Sequence, residues 1–289
     1  MANSLCRKTV LGRGRRLLRV NGLSILKEKM KWSECLLWPL RRPANDRPWS
    51  LDQAVLPWGE IEGSSIKLRQ IRFAKYRSVT DYTVERYDQT FNLAEIKQVS
   101  LVVEPFSGYR GPAHTFLTFE FADDKFVSIS VEIRKQVGQK FSPWRGLCRQ
   151  YELMYVIADE RDVIKLRSNF RRDPVRLYPL TLSTAEQAKL FCLLVERANR
   201  LKDQPEFYHT IWHNCVTEFA GLINLVRPRS LPRWHWLYLF PANLGELFWR
   251  RGLVDQSQPL AFWQKHGLIN ARAEAAADDP SFSRRIRTD

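Results

Sequence analysis

No uninterrupted apolar run of about 18 residues occurs in this 289-residue chain, so no transmembrane helix is expected within it. The apolar stretch nearest the N-terminus, LLRVNGLSIL, is broken by Arg19 and Asn21, which a secretory signal would tolerate poorly. Cysteine is scarce and shows no pairing pattern. Cys6, Cys35, Cys148, Cys192 and Cys215 are scattered, odd in number and without a C-x-x-C pair, which argues against a disulfide framework and a structural zinc site. Zinc-finger spacing, aromatic RNA-binding motifs and internal repeats are missing too. The net charge of +15 therefore needs another explanation, and its location supplies one: residues 1–48 hold twelve Lys/Arg against three Asp/Glu. A basic arm attracts phosphates of any kind, lipid head groups included, so no nucleic-acid partner is expected.

What is present is a packed globular body. Hydrophobic residues make up 44% of the chain, with ten Trp and sixteen Phe, enough for a real core and for apolar surface left over. Residues 1–48 read as a basic N-terminal segment. It is either disordered or laid on a membrane surface through Trp32, Leu36, Leu37 and Trp38. The proline-rich RRPANDRPW then leads into a body spanning 49–255, and residues 256–289 form a C-terminal extension whose polar tail, from Ala275, is expected to be disordered. Strands are expected in SSIKLRQIRFAKYRS, AEIKQVSLVVEPF, YELMYVIAD and VRLYPL. AHTFLTFEF and FVSISVEIRK, joined by ADDK, read as an antiparallel hairpin. Helices are expected in ERDVIKLRSNF, in AEQAKLFCLLVERANRLK behind a Ser183 or Thr184 cap, in CVTEFAGLINLV up to Pro228, and after the aromatic WHWLYLF. Strands first and helices later point to an α+β fold, an antiparallel sheet packed against helices.

YHTIWHNCVTEF carries the densest chemistry. His209 and His213 at i, i+4 would face one ion if helical, but the stretch has no intervening Glu of the zincin type and holds Pro205, Thr210 and Ile211 nearby, so no metal is expected. Cys215 opens a helix, where unpaired N–H groups and the macrodipole favour a thiolate. His114 begins a strand after a turn, from which a ring can reach a facing helix N-terminus. Glu132 returns opposite it within about one residue of register, placed to orient the imidazole. Each residue also has a plainer account: Cys215 as a small buried side chain, His114 as a satisfied polar group and Glu132 as a solvated one. Cys192, inside LFCLLVERA, reads as a buried, inert thiol.

YDQTFNLAEIKQVSLVVEPFSGYRGPAHTFLTFEF, SVEIRK, RQYELMYVIADERD and EFYHTIWHNC together resemble the bacterial Lnb N-terminal periplasmic domain family, over about residues 49–255. The family's marks are a histidine, matched by His114, and an Asn-Cys-Thr motif, matched by Asn214 and Cys215. Val216 stands at the Thr position, with Thr217 next. More distantly, histidine first, a polar residue on the next strand and a cysteine last is similar to the permuted NlpC-type papain-like superfamily, which includes lecithin:retinol acyltransferase-like enzymes. The resemblance implies a permuted papain-like arrangement and cysteine-dependent acyl transfer, as in lipoprotein N-acylation. Its acyl donor would be a phospholipid and its acceptor a lipoprotein or peptide, and no cofactor is implied. It places the site at the periplasmic face of the inner membrane, with Cys215 as nucleophile, His114 as base, Glu132 holding the ring and Asn214 placing the loop. A cell-envelope peptidase or amidase uses the same dyad, and a non-catalytic interaction module is the alternative outside enzymes.

Overall fold

The computed structural model describes residues 41–106 and 111–288, so the membrane-surface reading of Trp32 to Trp38 lies outside the described residues. Among them, eight strands form one sheet: β1 (Trp58–Glu62), β2 (Ser65–Tyr76), β3 (Tyr82–Asn92), β4 (Ile96–Pro105), β5 (Ala113–Phe121), β6 (Phe126–Arg134), β7 (Glu152–Ala158) and β8 (Arg176–Pro179). The order β1-β2-β7-β6-β5-β4-β8, with β3 along the other side of β2, is antiparallel except where Arg72 of β2 meets Ala158 of β7. The expected hairpin is β5–β6, turned through Asp123 and Asp124, both at positive φ. Its alternation is what arms the site. Thr115, Leu117, Phe119 and Phe121 point to one face, His114, Phe116, Thr118 and Glu120 to the other.

Each face is covered. Helix α1 (Pro143–Leu147) is a short turn before β7, and α2 (Glu160–Lys165) runs into a π-helical turn, Leu166–Phe170. The latter two lie over the His114 face, where Thr118 bonds Glu160 and Arg167 stacks on Phe116 at 5.1 Å. On the other face lie α3 (Thr184–Asp203) and α4 (Cys215–Val226). Ser183 and Glu186 close a capping box that starts α3, and its Phe191 meets Phe119 edge-on with ring centres 4.8 Å apart. The fold is thus α+β, with the sheet held between helices.

Four expectations need correction. Strands β1 and β3 went unread, because β3 is a long outer strand whose residues are largely half-exposed. Beyond α5 (Leu244–Arg250) and α6 (Leu260–His266), the tail is ordered: α7 (Asn270–Ala275) and α8 (Phe282–Arg285) follow. Phe282 and Ile286 are fully buried, and Arg287 donates to both oxygens of Glu160 at 2.9 and 2.5 Å, so the tail is pinned by packing and by a buried ion pair. Cys148 is disulfide-bonded, against the expectation from cysteine spacing, while Cys192 and Cys215 are free. Cys192 is half-buried rather than fully enclosed.

Candidate active site

Helix α4 starts where the sequence places it because Asn214 is a strong cap. Its Oδ1 accepts from the N–H groups of Val216 and Thr217 at 2.9 and 3.0 Å, and Thr217 Oγ1 accepts from the Asn214 N–H at 2.9 Å. The asparagine amide in turn donates to Thr210 O (2.8 Å) and Tyr238 O (3.2 Å), which ties the preceding turn and the aromatic segment to the helix start. Asn214 therefore does more than place a loop, and Thr217 gives the motif's hydroxyl a capping role despite Val216. Capping also limits the chemistry. With Val216 and Thr217 committed and Glu218 N–H bonded to Asn214 O, the first-turn N–H with no partner among the described residues is that of Cys215 itself.

His114 comes from the opposite face of the sheet, and a local parting of strands lets the two meet. The β5–β6 ladder ends at Phe116 and Ser130, although β6 stays paired with β7 as far as Arg134. Continued two residues, the same register sets Glu132 opposite His114, as expected. The ring's nearest partner is nevertheless Ser130. Nε2 lies 2.7 Å from Ser130 Oγ, Ser130 Oγ lies 3.0 Å from Glu132 Oε1, and Glu132 Oε1 is 3.6 Å from Nε2. A serine that donates to the carboxylate accepts from the ring, so Nε2 carries a proton and Nδ1 is left for Cys215.

The electrostatics follow from this row of partners. Burial alone pulls the His114 pKa down, but hydrogen bonds to Cys215 and Glu132 outweigh it and raise the ring to about 9, with Arg167 opposing. Burial pushes the Cys215 thiol up, but the His114 hydrogen bond and charge, together with Thr115, bring it below the ordinary cysteine value. Burial also raises Glu132, yet His114 and Arg167 hold it well below the usual carboxylate range. The pairing therefore favours the thiolate of Cys215 and the imidazolium of His114 over their neutral forms. His114 keeps 14% of its side-chain surface exposed and Cys215 is half-buried, so the pair is accessible to a small group.

Four supporting residues were not read from the sequence. Ser130 is the link just described. Arg167, on the π-helical turn, donates Nη2 to Glu132 (3.1 Å) and Nε to Glu104 (2.5 Å), and Glu104 sits opposite His114 on β4. Two buried charges, Glu104 and Arg167, thus lie beside the half-buried Glu132, each compensating its neighbour. Thr115 is fully buried beside the thiol with a hydroxyl that has no hydrogen-bond partner among oxygen and nitrogen atoms of the described residues. A lone Glu in LVVEPF and an Arg in IKLRSNF were the available hints, but sequence does not distinguish a buried charge from a solvated one.

His209 and His213 close a tight antiparallel turn, with backbone N–H to O bonds of 3.1 and 3.0 Å in the two directions, so neither sits on a helix. His209 Nδ1 accepts from Ile211 and Trp212, and His213 Nδ1 pairs with Glu218 at 3.1 Å. No metal-holding cluster of His, Cys, Asp and Glu occurs among the described residues. In WHWLYLF, Leu237 and Tyr238 are buried while Trp234, Trp236 and Phe240 are exposed, so the segment both packs and presents aromatic surface. A polar cavity of about 630 Å³ between Tyr87, Asp159 and Arg284 includes neither His114 nor Cys215.

A family model described as "Lnb N-terminal periplasmic domain" matches residues 83–242, inside the span expected from the sequence and including His114, Glu132, Asn214 and Cys215. Neither curated proteins nor solved structures return a match. No helix among the described residues is long and apolar enough to cross a membrane.

Proposed function

The chain belongs to the Lnb N-terminal periplasmic domain family, and from that premise we propose that it is a cysteine-dependent acyltransferase of the bacterial envelope, acting at a membrane surface. The Cys215 thiolate attacks the ester carbonyl of a phospholipid, and the oxyanion is met by the Cys215 N–H, with the Thr115 hydroxyl, released from the sulfur as the C–S bond forms, as a second donor. As the ester C–O bond breaks, His114 gives its Nδ1 proton to the departing lysophospholipid alkoxide, leaving an acyl-thioester on Cys215. The amino group of a lipoprotein or peptide then attacks that thioester. His114 accepts the proton released from nitrogen, the thiolate leaves, and an amide is formed.

The observation that carries this reading is the row Cys215, His114, Ser130, Glu132, in which the base is oriented on one nitrogen and meets the nucleophile with the other. The chain order, histidine on β5, polar orienters on β6 and cysteine at the start of a helix, supports a permuted papain-like arrangement. The Cys148 disulfide supports an oxidising compartment.

Incubation with phospholipid vesicles followed by intact mass tests the proposal. An acyl adduct on the wild-type chain that is missing from Cys215→Ala is expected. If no phospholipid yields an adduct while an acyl-peptide or amide substrate does, the dyad serves an amidase instead.

A further inference from the structure

A strip beside the site has the chemistry of a lipid interface. Leu231 N–H donates to Asn224 Oδ1 near the C-terminal end of α4, and the Asn224 amide donates to Leu231 O, both at 2.9 Å. At the other end of the same helix, Asn214 donates to Tyr238 O. The segment from Leu231 to Tyr238 therefore runs back along α4, over the roughly 15 Å that ten helical residues rise. Leu231, Leu237 and Tyr238 are buried and anchor it, while Trp234 and Trp236 stand 51% and 54% exposed. Phe240, also exposed, is set against the entry to β5. Ala242 N–H donates to Gly111 O at 2.9 Å, and Gly111, at φ +102°, lies so close to Phe240 that a Cβ there would approach its ring to 3.0 Å. One end of the strip is thus three residues from His114.

The other end is cationic. Arg229, Arg233 and Arg251 surround a depression of about 370 Å³ with Asn224, Leu231 and Pro232. All three arginines are exposed, and none has an ion pair among the described residues. Residues 227–243 contain no Asp or Glu. Exposed tryptophans beside unpaired arginines, on a segment without carboxylates, match the aromatic and basic composition of groups that sit at the head-group level of a bilayer. A protein partner of ordinary surface composition gains nothing from three uncompensated cations, whereas an anionic leaflet does.

We infer that this strip docks the protein on an anionic phospholipid surface, Trp234, Trp236 and Phe240 entering the head-group region and Arg229, Arg233 and Arg251 pairing with lipid phosphates. The docked orientation brings the start of β5 and the start of α4, hence His114 and Cys215, toward the membrane. The inference rests on the reading above for its purpose, but docking itself needs no thiol.

Sedimentation of the full chain with vesicles tests it, on a Cys215→Ala background so that acyl chemistry plays no part. Binding to phosphatidylcholine vesicles containing phosphatidylglycerol is expected to exceed binding to phosphatidylcholine alone. Arg229→Gln, Arg233→Gln and Arg251→Gln together are expected to weaken it about 100-fold, at roughly 1 kcal/mol for each basic side chain near an anionic surface. Lys at the same three positions is expected to retain binding, and Trp234→Ala with Trp236→Ala to weaken it on vesicles of either composition. Free inorganic phosphate at matched ionic strength is expected not to compete, which separates a lipid surface from an anion site. Melting temperatures of the variants establish that they fold. Binding unchanged in the folded Gln triple variant overturns the inference, as does failure of the parent chain to bind phosphatidylglycerol vesicles. Absence of an acyl adduct from the wild-type chain, with docking intact, would sink only the catalytic reading.

Discussion

Replacing His114 with Gln removes the cation that favours ionisation of Cys215, and the size of the effect can be worked from the ring itself. Its rise from the ordinary 6.5 to about 9 corresponds to about 3.4 kcal/mol favouring imidazolium. Two anions supply it, Cys215 and Glu132. Because burial and Arg167 oppose the rise, an even division leaves at least about 1.7 kcal/mol between ring and thiolate, and the coupling is reciprocal, so the thiolate loses as much when the charge is gone. That is a little over one pH unit. Burial, which pushes the thiol up, then stands opposed by Thr115 alone. Iodoacetamide alkylation of Cys215, read by intact mass between about pH 5 and pH 10 with the Cys215→Ala signal subtracted, gives the midpoint in each protein. The wild-type midpoint is expected below the 8.5 or so of a free cysteine. That of His114→Gln is expected at least about one pH unit higher, with labelling near pH 7 slowed about tenfold or more. Superimposable profiles would refute the ion pair, because no arrangement in which His114 touches the thiol leaves alkylation indifferent to its removal.

Glu132→Gln removes the carboxylate that helps keep the ring protonated, so the His114 titration seen by NMR is expected to move down from about 9, and imidazolium to be lost at lower pH. A Thr115→Val chain loses one hydrogen bond to the thiolate. Its alkylation midpoint should rise by about half a pH unit or more, as the usual 0.5–1.5 kcal/mol implies, and Thr115→Ser should restore it. Asn214→Ala strips the cap from α4 and is expected to cost about 1–2 kcal/mol in urea unfolding. Phe282→Ala should cost about 3–5 kcal/mol in the same assay, a penalty that a disordered tail would not incur.

The two residues most important to the site were legible because each stands at a structural boundary with a sequence mark. Asn214 before an apolar, helix-periodic run predicts the start of α4, and the structure begins it at Cys215. His114 after a glycine-proline turn predicts the first residues of a strand, and β5 begins at Ala113. Glu132 followed from hairpin register. Ser130 lies on the same face, but alternation tells which side a residue faces and not which of two neighbours touches a ring. Arg167 and Glu104 were hidden for a different reason: their burial depends on the π-helical turn folding over β4 to β6, a long-range event with no local trace. The tail was misread because its polar composition outweighs two apolar anchors, Phe282 and Ile286, whose i, i+4 spacing aligns them on one helical face.

Favouring the ionised form of Cys215 has a chemical cost wherever oxidants reach it. A thiolate is the species that peroxide converts to sulfenic acid and that attacks passing disulfides. Among the described residues Cys148 is already bonded, and Cys192, whose pKa burial raises, is the less reactive of the two free thiols there. Among the described thiols, oxidative loss therefore falls first on Cys215. Its half-burial admits small oxidants more readily than bulky disulfides, so air-exposed preparations would lose reactivity through sulfenic and sulfinic acids rather than through cross-linked dimers.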